Sequence, residues 1–166
     1  YVDDCCVSAP VEIVEAVFAK LLKKLKIKAN ADGSQWRVTR RFLGVQYTPK
    51  TTDTHRIFEV DMVDYTKKMV ADFESKHREL RPVARLPDVP PPTSEPNDSG
   101  LAFRPEIGSL LWLKRALRSD IARVVNALSA CVTKWTSEHT ESLVTLMAYV
   151  KGTKDVRMVM CYDKST

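Results

Sequence analysis

The chain has 166 residues, of which 44% are hydrophobic, and this is enough for a packed core in one ordinary domain or two small lobes. Its 26 Lys and Arg residues against 21 Asp and Glu give a net charge of +5, which favours polyanionic partners such as nucleic acid. This composition excludes a disordered chain, and no apolar run approaches the ~20 residues that a membrane-spanning helix needs.

The four cysteines indicate neither a zinc site nor a disulfide framework. Cys5 and Cys6 are adjacent, and Cys131 and Cys161 stand apart from them without the CxxC spacing of many zinc sites. Reduced thiols fit an intracellular setting. Because the chain opens at Tyr1, without an initiator methionine or a signal-peptide layout, we expect it to be a fragment of a longer protein.

The N-terminal forty residues predict a strand, a helix and a hairpin. Residues 2–8 are typical of a short strand, and a serine cap followed by an early proline predicts a helix over 10–26. Residues 27–39 predict a hairpin, because Asp32-Gly33 supplies the positive-φ positions that such a turn requires.

A second hairpin, a helix and a linker are predicted next. The β stretches 42–47 and 57–60 are separated by a polar, turn-forming segment, so we expect them to pair. Asp61 is the expected cap of a helix over 62–76. Six of the nine prolines fall in the segment 81–100, which predicts a semi-extended linker and the best domain boundary of the chain.

Three helical segments and a strand follow the linker. Pro105 opens the first helix, Ser119-Asp120 opens the second and Ser137 opens the third, which Gly152 ends. Apolar residues recur at helical spacing in all three segments. Residues 156–162 alternate between the two faces of a strand, with the apolar side chains mainly on one of them.

These patterns predict an α+β fold, in which a β-rich part with one helix precedes a helical bundle. The expected parts are 1–60, the first bundle helix 61–80, the proline-rich linker 81–100, the helical segment 101–152 and a final segment 153–166. Tryptophans at 112 and 135 lie in amphipathic helices and are expected in the core.

The acidic pair Asp3-Asp4 is the first candidate for chemistry. Nucleotide polymerisation uses two divalent cations about 3.5 to 4 Å apart, and clustered carboxylates supply the hard oxygen ligands that magnesium prefers. At a tight strand turn both side chains can approach such ions. Asp-Asp pairs are also common as solvated turn residues, so the rest of the chain must decide between the two interpretations.

A series of stretches, in a fixed order along the chain, favours the metal-binding interpretation of Asp3 and Asp4. They are YVDD at 1–4, FLGV at 42–45, a helix start at 63–69, RPEIGSLLWL at 104–113, RSDI at 118–121 with LS at 128–129, and His139 before YVKGT at 149–153. The series resembles the C-terminal part of the reverse transcriptase of copia-type LTR retrotransposons, including its FLG(I/V), YRxxIGSLLYL, RPDI and YLKGT elements. Ser119 replaces the usual proline, and the helix at 63–69 matches only loosely.

The resemblance implies an RNA-directed DNA polymerase in which 1–60 belongs to the palm, 61–80 and 101–152 to the thumb, and 153–166 leads toward RNase H. It assigns catalysis and two Mg²⁺ ions, for which Mn²⁺ can substitute, to Asp3 and Asp4. The primer grip would include Phe42, Leu43, Gly44 and Val45. His139 matches a family position to which we assign only a structural role.

The same resemblance implies that thumb cations contact the phosphates of a template–primer. A solvated charged face is the alternative interpretation of these residues. The candidates are Lys67, Lys68, Lys114, Arg115, Arg118 and Arg123.

Further partners follow from the same resemblance. They are an RNA or DNA template–primer, a deoxynucleoside triphosphate, and the rest of the Pol polyprotein with its integrase, fingers and RNase H; no membrane partner is expected. The family's setting is a cytoplasmic virus-like particle or the nucleus. Since the fingers and a third catalytic aspartate lie upstream in the family, we expect the isolated chain to be inactive. The alternative function is a non-enzymatic retroelement remnant that acts as a basic nucleic-acid-binding or interaction domain.

Overall fold

The computed structural model describes residues 9–26, 40–92, 95–97 and 99–164. Helices and antiparallel strands are both present among them, which confirms the α+β class. The predicted strand at 2–8, which carries Asp3 and Asp4, and the predicted hairpin at 27–39 lie outside the described residues.

Two compact units make up the chain, Tyr1–Phe42 and Leu43–Thr166. The first contains helix α1, Val11–Leu22, and the short strand β1, Arg41–Phe42. Helix α1 is shorter than predicted: it ends at Leu22, and beyond it the backbone N–H groups of Lys24 and Leu25 both donate to the Leu21 carbonyl.

In the second unit, β2 (Val45–Thr51), β3 (His55–Asp61) and β4 (Arg157–Asp163) lie side by side and antiparallel in that order. The hairpin of β2 and β3 was predicted and is confirmed, as is the strand near the C-terminus. Thr52 closes the hairpin, since its backbone N–H donates to the His55 carbonyl at 2.9 Å.

The prediction of one continuous strand over 42–47 is wrong. Strand β1 ends at Phe42 and β2 begins at Val45, with a turn between them at Leu43 and Gly44. Both turn residues have positive φ, 51° and 82°, which is incompatible with an extended strand. Glycine explains the second of these values, because it adopts positive φ without steric cost.

The remaining helices of the second unit are α2 (Val63–Lys76), α3 (Arg104–Ala116), α4 (Ala122–Ala130) and α5 (Ser137–Gly152). Short 3₁₀ turns at Ser99–Phe103 and Ser119–Ile121 precede α3 and α4. These helices fall where the sequence predicts them; the starts of α2, α3 and α4 are displaced by one to three residues, and α5 begins at the predicted Ser137.

The starts of α2 and α5 differ in their capping. The N-cap of α2 is Met62 rather than the predicted Asp61, although the Asp61 carboxylate accepts a hydrogen bond from the Val63 backbone at 3.1 Å. For α5 the cap is Thr136 rather than Ser137. The core of this unit contains leucines, isoleucines and valines of α3, α4 and α5 together with Trp135, and Trp112 packs against it, so the burial predicted for both tryptophans is confirmed. The prediction that Trp135 lies in a helix is wrong, because α4 ends at Ala130 and α5 begins at Ser137.

Within the proline-rich segment, residues 81–92 have no regular secondary structure but pack along α5. The Val83 backbone donates to the Ala148 carbonyl at 3.4 Å, and the Asp88 carbonyl accepts from the Ser142 hydroxyl at 3.0 Å. This segment, which we call the strap, therefore lies inside the second compact unit.

Candidate nucleic-acid interface

The FLGV stretch forms the turn that leads into β2. Val45 is buried, while Phe42, Leu43 and Gly44 are partly buried. A Cβ atom on Gly44 would lie 3.3 Å from the Tyr65 ring of α2, so the turn and α2 are in close contact. The Tyr65 hydroxyl in turn donates to the Ser109 carbonyl of α3 at 3.1 Å.

Tyr65 of α2 thus contacts both the turn at Leu43 and Gly44 and helix α3. Through Tyr65, the part of the predicted primer grip at Leu43–Val45 lies against the first two helices of the predicted thumb. A substitution of Gly44 would be opposed both by the positive φ and by this ring.

Two of the predicted phosphate contacts lie on α2. Lys67 and Lys68 are exposed, whereas Thr66, Met69 and Val70, which flank them, are buried. The apolar face of α2 thereby holds the helix in place and leaves both ammonium groups in solvent.

Another group of cations lies where α3 and α4 meet. The Lys114 ammonium donates to the Asn126 side-chain oxygen at 2.8 Å. Arg123 is three residues before Asn126 in α4 and therefore on the same face of that helix. Arg123 is 3.3 Å from the Asp88 carboxylate, and both side chains are largely exposed. Arg115 is exposed in the last turn of α3.

Arg118 differs from the other predicted cations because its side chain is only 2% exposed. Its guanidinium donates to both carboxylate oxygens of Asp120, at 2.9 and 2.8 Å, and to the carbonyl and hydroxyl of Thr153, at 2.9 and 2.7 Å. The group also lies 5.6 Å from the centre of the Tyr149 ring. The structure thus gives Arg118 an internal role, because its guanidinium is buried and bonded within the fold.

The Arg118 network changes the acidity of its members. Hydrogen bonding and attraction from Arg118 hold the pKa of Asp120 below its ordinary value of 3.8. The Tyr149 hydroxyl donates to Asp120 at 3.0 Å. Burial and this carboxylate raise the pKa of Tyr149 above its ordinary value.

Two of the stretches that carry the family resemblance, far apart along the chain, meet in this network. Arg118 and Asp120 belong to RSDI, and Tyr149 and Thr153 belong to YVKGT. His139, between them in sequence, is completely buried at the start of α5, where its Nδ1 accepts from the Thr136 backbone at 2.9 Å. The structural role expected for His139 is confirmed.

Two carboxylates that the sequence patterns did not indicate, Glu74 and Glu106, connect helices to each other. Glu74 of α2 accepts from the Lys151 ammonium of α5 and from the Leu80 backbone, at 2.8 and 2.7 Å, and these bonds lower the pKa of Glu74. Glu106 of α3 is buried, 3.4 Å from the Lys76 ammonium of α2. Nothing in the spacing of these residues could have revealed pairs so far apart along the chain.

Within the described residues, no group of three His, Cys, Asp or Glu side chains could hold a metal ion. No helix in the described part of the chain combines the length and hydrophobicity that crossing a bilayer requires. The chain matches no protein-family model, no curated protein and no solved structure.

Proposed function

We propose that this chain is a palm-and-thumb segment of a copia-type reverse transcriptase and that it holds the backbone of a template–primer. The observation that carries the proposal is the ordered series of stretches from YVDD to YVKGT. Chance similarity of one short motif is common, whereas six stretches in the family order span nearly the whole chain.

The placement of the described stretches supports this proposal. FLGV contacts α2 through Tyr65, and RSDI contacts YVKGT through Arg118. Residues of different motifs therefore depend on each other for burial and hydrogen bonding. Such contacts make these stretches parts of one folded unit, as the proposal requires.

The binding surface that we propose comprises the exposed or partly exposed cations Lys67, Lys68, Lys114, Arg115 and Arg123. Long cationic side chains on rigid helices suit phosphate contacts, which position a duplex without reading its sequence. The net charge of +5 adds long-range attraction for a polyanion. The resemblance assigns the two-metal chemistry of nucleotidyl transfer to Asp3 and Asp4, which lie outside the described residues.

The test is the binding of the 166-residue chain to a fluorescently labelled RNA–DNA hybrid, measured by anisotropy over a range of salt concentrations. If each contact neutralises one phosphate, the slope of log K against log salt is about 0.9 per contact for duplex DNA. We expect Lys67→Gln with Lys68→Gln to reduce that slope by roughly 2, and Lys114→Gln with Arg115→Gln to do the same.

Lys20→Gln with Lys23→Gln is the matched control, because it removes two exposed lysines, in the last turn and at the C-cap of α1, that are not among the proposed contacts. The control should leave the slope almost unchanged. Equal losses in the control and the test variants would contradict the proposed surface, and the absence of salt-dependent binding would contradict the proposed function.

The non-enzymatic interaction domain is the second candidate, and the same cations favour it equally. The two functions differ in what Asp3 and Asp4 do. In a primer-extension assay reconstituted with an upstream fingers-and-palm segment, Asp3→Asn with Asp4→Asn should abolish synthesis if the polymerase proposal is right. Failure of the wild-type chain to support any synthesis in that mixture would favour the non-enzymatic domain.

A further inference from the structure

Strand β4 forms one edge of the sheet in the second unit. Among the described residues it pairs only with β3. The backbone N–H of Lys164 donates to the Thr54 carbonyl at 2.9 Å, which fixes the alternation of hydrogen bonds along β4. In an antiparallel ladder, the even-numbered residues of β4 therefore direct their N–H and C=O groups toward β3.

The odd-numbered residues of β4 direct these groups away from the sheet. They are Arg157, Val159, Cys161 and Asp163. This edge is therefore a template for one more antiparallel strand.

Apolar side chains dominate the middle of β4 on both faces of the sheet. Val159 is 60% exposed and Tyr162 is 54% exposed, while Met160 alone in this strand is partly buried. The Tyr162 ring meets the partly exposed Phe58 ring of β3 edge to face, with the ring centres 6.5 Å apart. Natural edge strands are commonly protected by central charges or prolines, and β4 has neither: its charges stand only at its two ends.

The sequence of β4 is complementary to itself when it runs antiparallel to a second copy. A twofold axis at Met160 places Arg157 opposite Asp163 of the other copy at both ends. In the same register Val159 faces Cys161, and Met158 faces Tyr162. Opposite charges and apolar pairs directly across two strands stabilise their pairing.

The hydrogen-bonding pattern selects this register independently of the charges. Only the odd-numbered residues of β4 direct their backbone N–H and C=O groups away from β3. An odd-numbered residue must therefore lie opposite an odd-numbered residue of the second copy, as Val159 does opposite Cys161. The nearest registers that meet this requirement are shifted by two residues. One of them places Arg157 opposite Cys161, and the other places Val159 opposite Asp163, so both lose the two charge pairs.

From this complementarity we propose that β4 is a self-association edge. Two copies of the chain pair antiparallel through β4 about a twofold axis at Met160, which joins two β2–β3–β4 sheets into one. Such a dimer is closed, since each copy uses its single β4 edge. Arg157 retains its contact with Glu59 at 3.4 Å, because the side chain is half exposed and a guanidinium carries five N–H donors.

Sedimentation of the full chain across a wide range of concentrations tests the proposal, and a reversible monomer–dimer equilibrium is expected. Arg157→Asp and Asp163→Arg should each weaken dimerisation by about tenfold or more, because each places like charges opposite one another at both ends. An equimolar mixture of the two variants should restore dimers, because each end then pairs opposite charges. This rescue cannot result from misfolding of either variant.

A second variant tests the register. In the proposed dimer, Val159→Cys lies opposite Cys161 of the other copy in a hydrogen-bonded pair, with Cα atoms about 5.5 Å apart, within disulfide range. Mild oxidation should give dimers linked between positions 159 and 161, whereas Met158→Cys should not link to 161. A monomeric wild type, open-ended oligomers, failure of the mixture to pair, or equal cross-linking of both cysteine variants would overturn the proposal. None of these readouts depends on nucleic-acid binding.

Discussion

The helices α3 to α5 and the strand β4 carry equally regular apolar patterns, yet the two regions bury them very differently. Leu110, Leu128 and Leu146 are completely inaccessible to solvent, whereas Val159 and Tyr162 are more than half exposed. An apolar pattern therefore indicates which face of an element is available for packing. Whether that face is packed depends on the neighbours that the fold supplies.

The largest expected effect concerns the helical core. Leu146→Ala removes a fully buried side chain and should lower the free energy of unfolding by about 2 to 5 kcal/mol. Val159→Ala in β4 is the matched comparison. It should change the free energy of unfolding by no more than about 0.5 kcal/mol at concentrations where the chain is monomeric. Urea denaturation followed by circular dichroism measures both. Similar losses for the two variants would mean that β4 is packed as tightly as α5.

A medium effect is expected at the start of α5. The Thr136 hydroxyl caps the helix by accepting from the His139 backbone N–H, and the His139 ring reciprocates at the Thr136 N–H. Thr136→Ala should cost about 1 kcal/mol of unfolding free energy. Thr136→Ser keeps the hydroxyl and should recover most of it. If the serine variant is as unstable as the alanine variant, the hydroxyl is not the stabilising group.

The smallest effect is expected in the acid dependence of stability. Because Arg118 lowers the pKa of Asp120 in the folded state, the carboxylate stabilises the fold above its ordinary pKa of 3.8. That contribution is lost as the pH falls from 3.8 through the lower folded value. Asp120→Asn should therefore flatten the fall in melting temperature over this range. Asp155→Asn, at an exposed carboxylate, is the control, and identical slopes in both variants would contradict the assignment.

Elements with a strong local signal could be predicted from the sequence. The hairpin of β2 and β3, the helices α2 and α3 and the stop of α5 at Gly152 depend on alternation, periodicity and capping residues within a few positions. The turn at Leu43 and Gly44 was missed, because an apolar stretch with one glycine is also typical of a bulged strand. In the structure this turn lies against the Tyr65 ring of α2, and the sequence of the turn alone does not indicate that contact.

The candidate site was less predictable than the fold. Exposed Lys67 and Lys68 agree with the expectation for cations on the polar side of a helix. Arg118 does not, because its burial depends on Asp120 and on Thr153, which is 35 residues away. The spacing of Arg118 and Asp120, two residues apart, was a weak local signal of their ion pair. The bonds from Arg118 to Thr153 could not have been inferred from spacing.

The strap between α2 and α3 has a consequence for how this segment can vary. It runs antiparallel to α5, since Val83 meets Ala148, Asp88 meets Ser142, and the Pro90 carbonyl lies 3.1 Å from the buried ring of His139. The turns of α5 thus set where along the strap each contact can form. An insertion or deletion inside 83–90 would shift later contacts out of phase with that helix. A region whose composition resembles a permissive loop is therefore held to a fixed length.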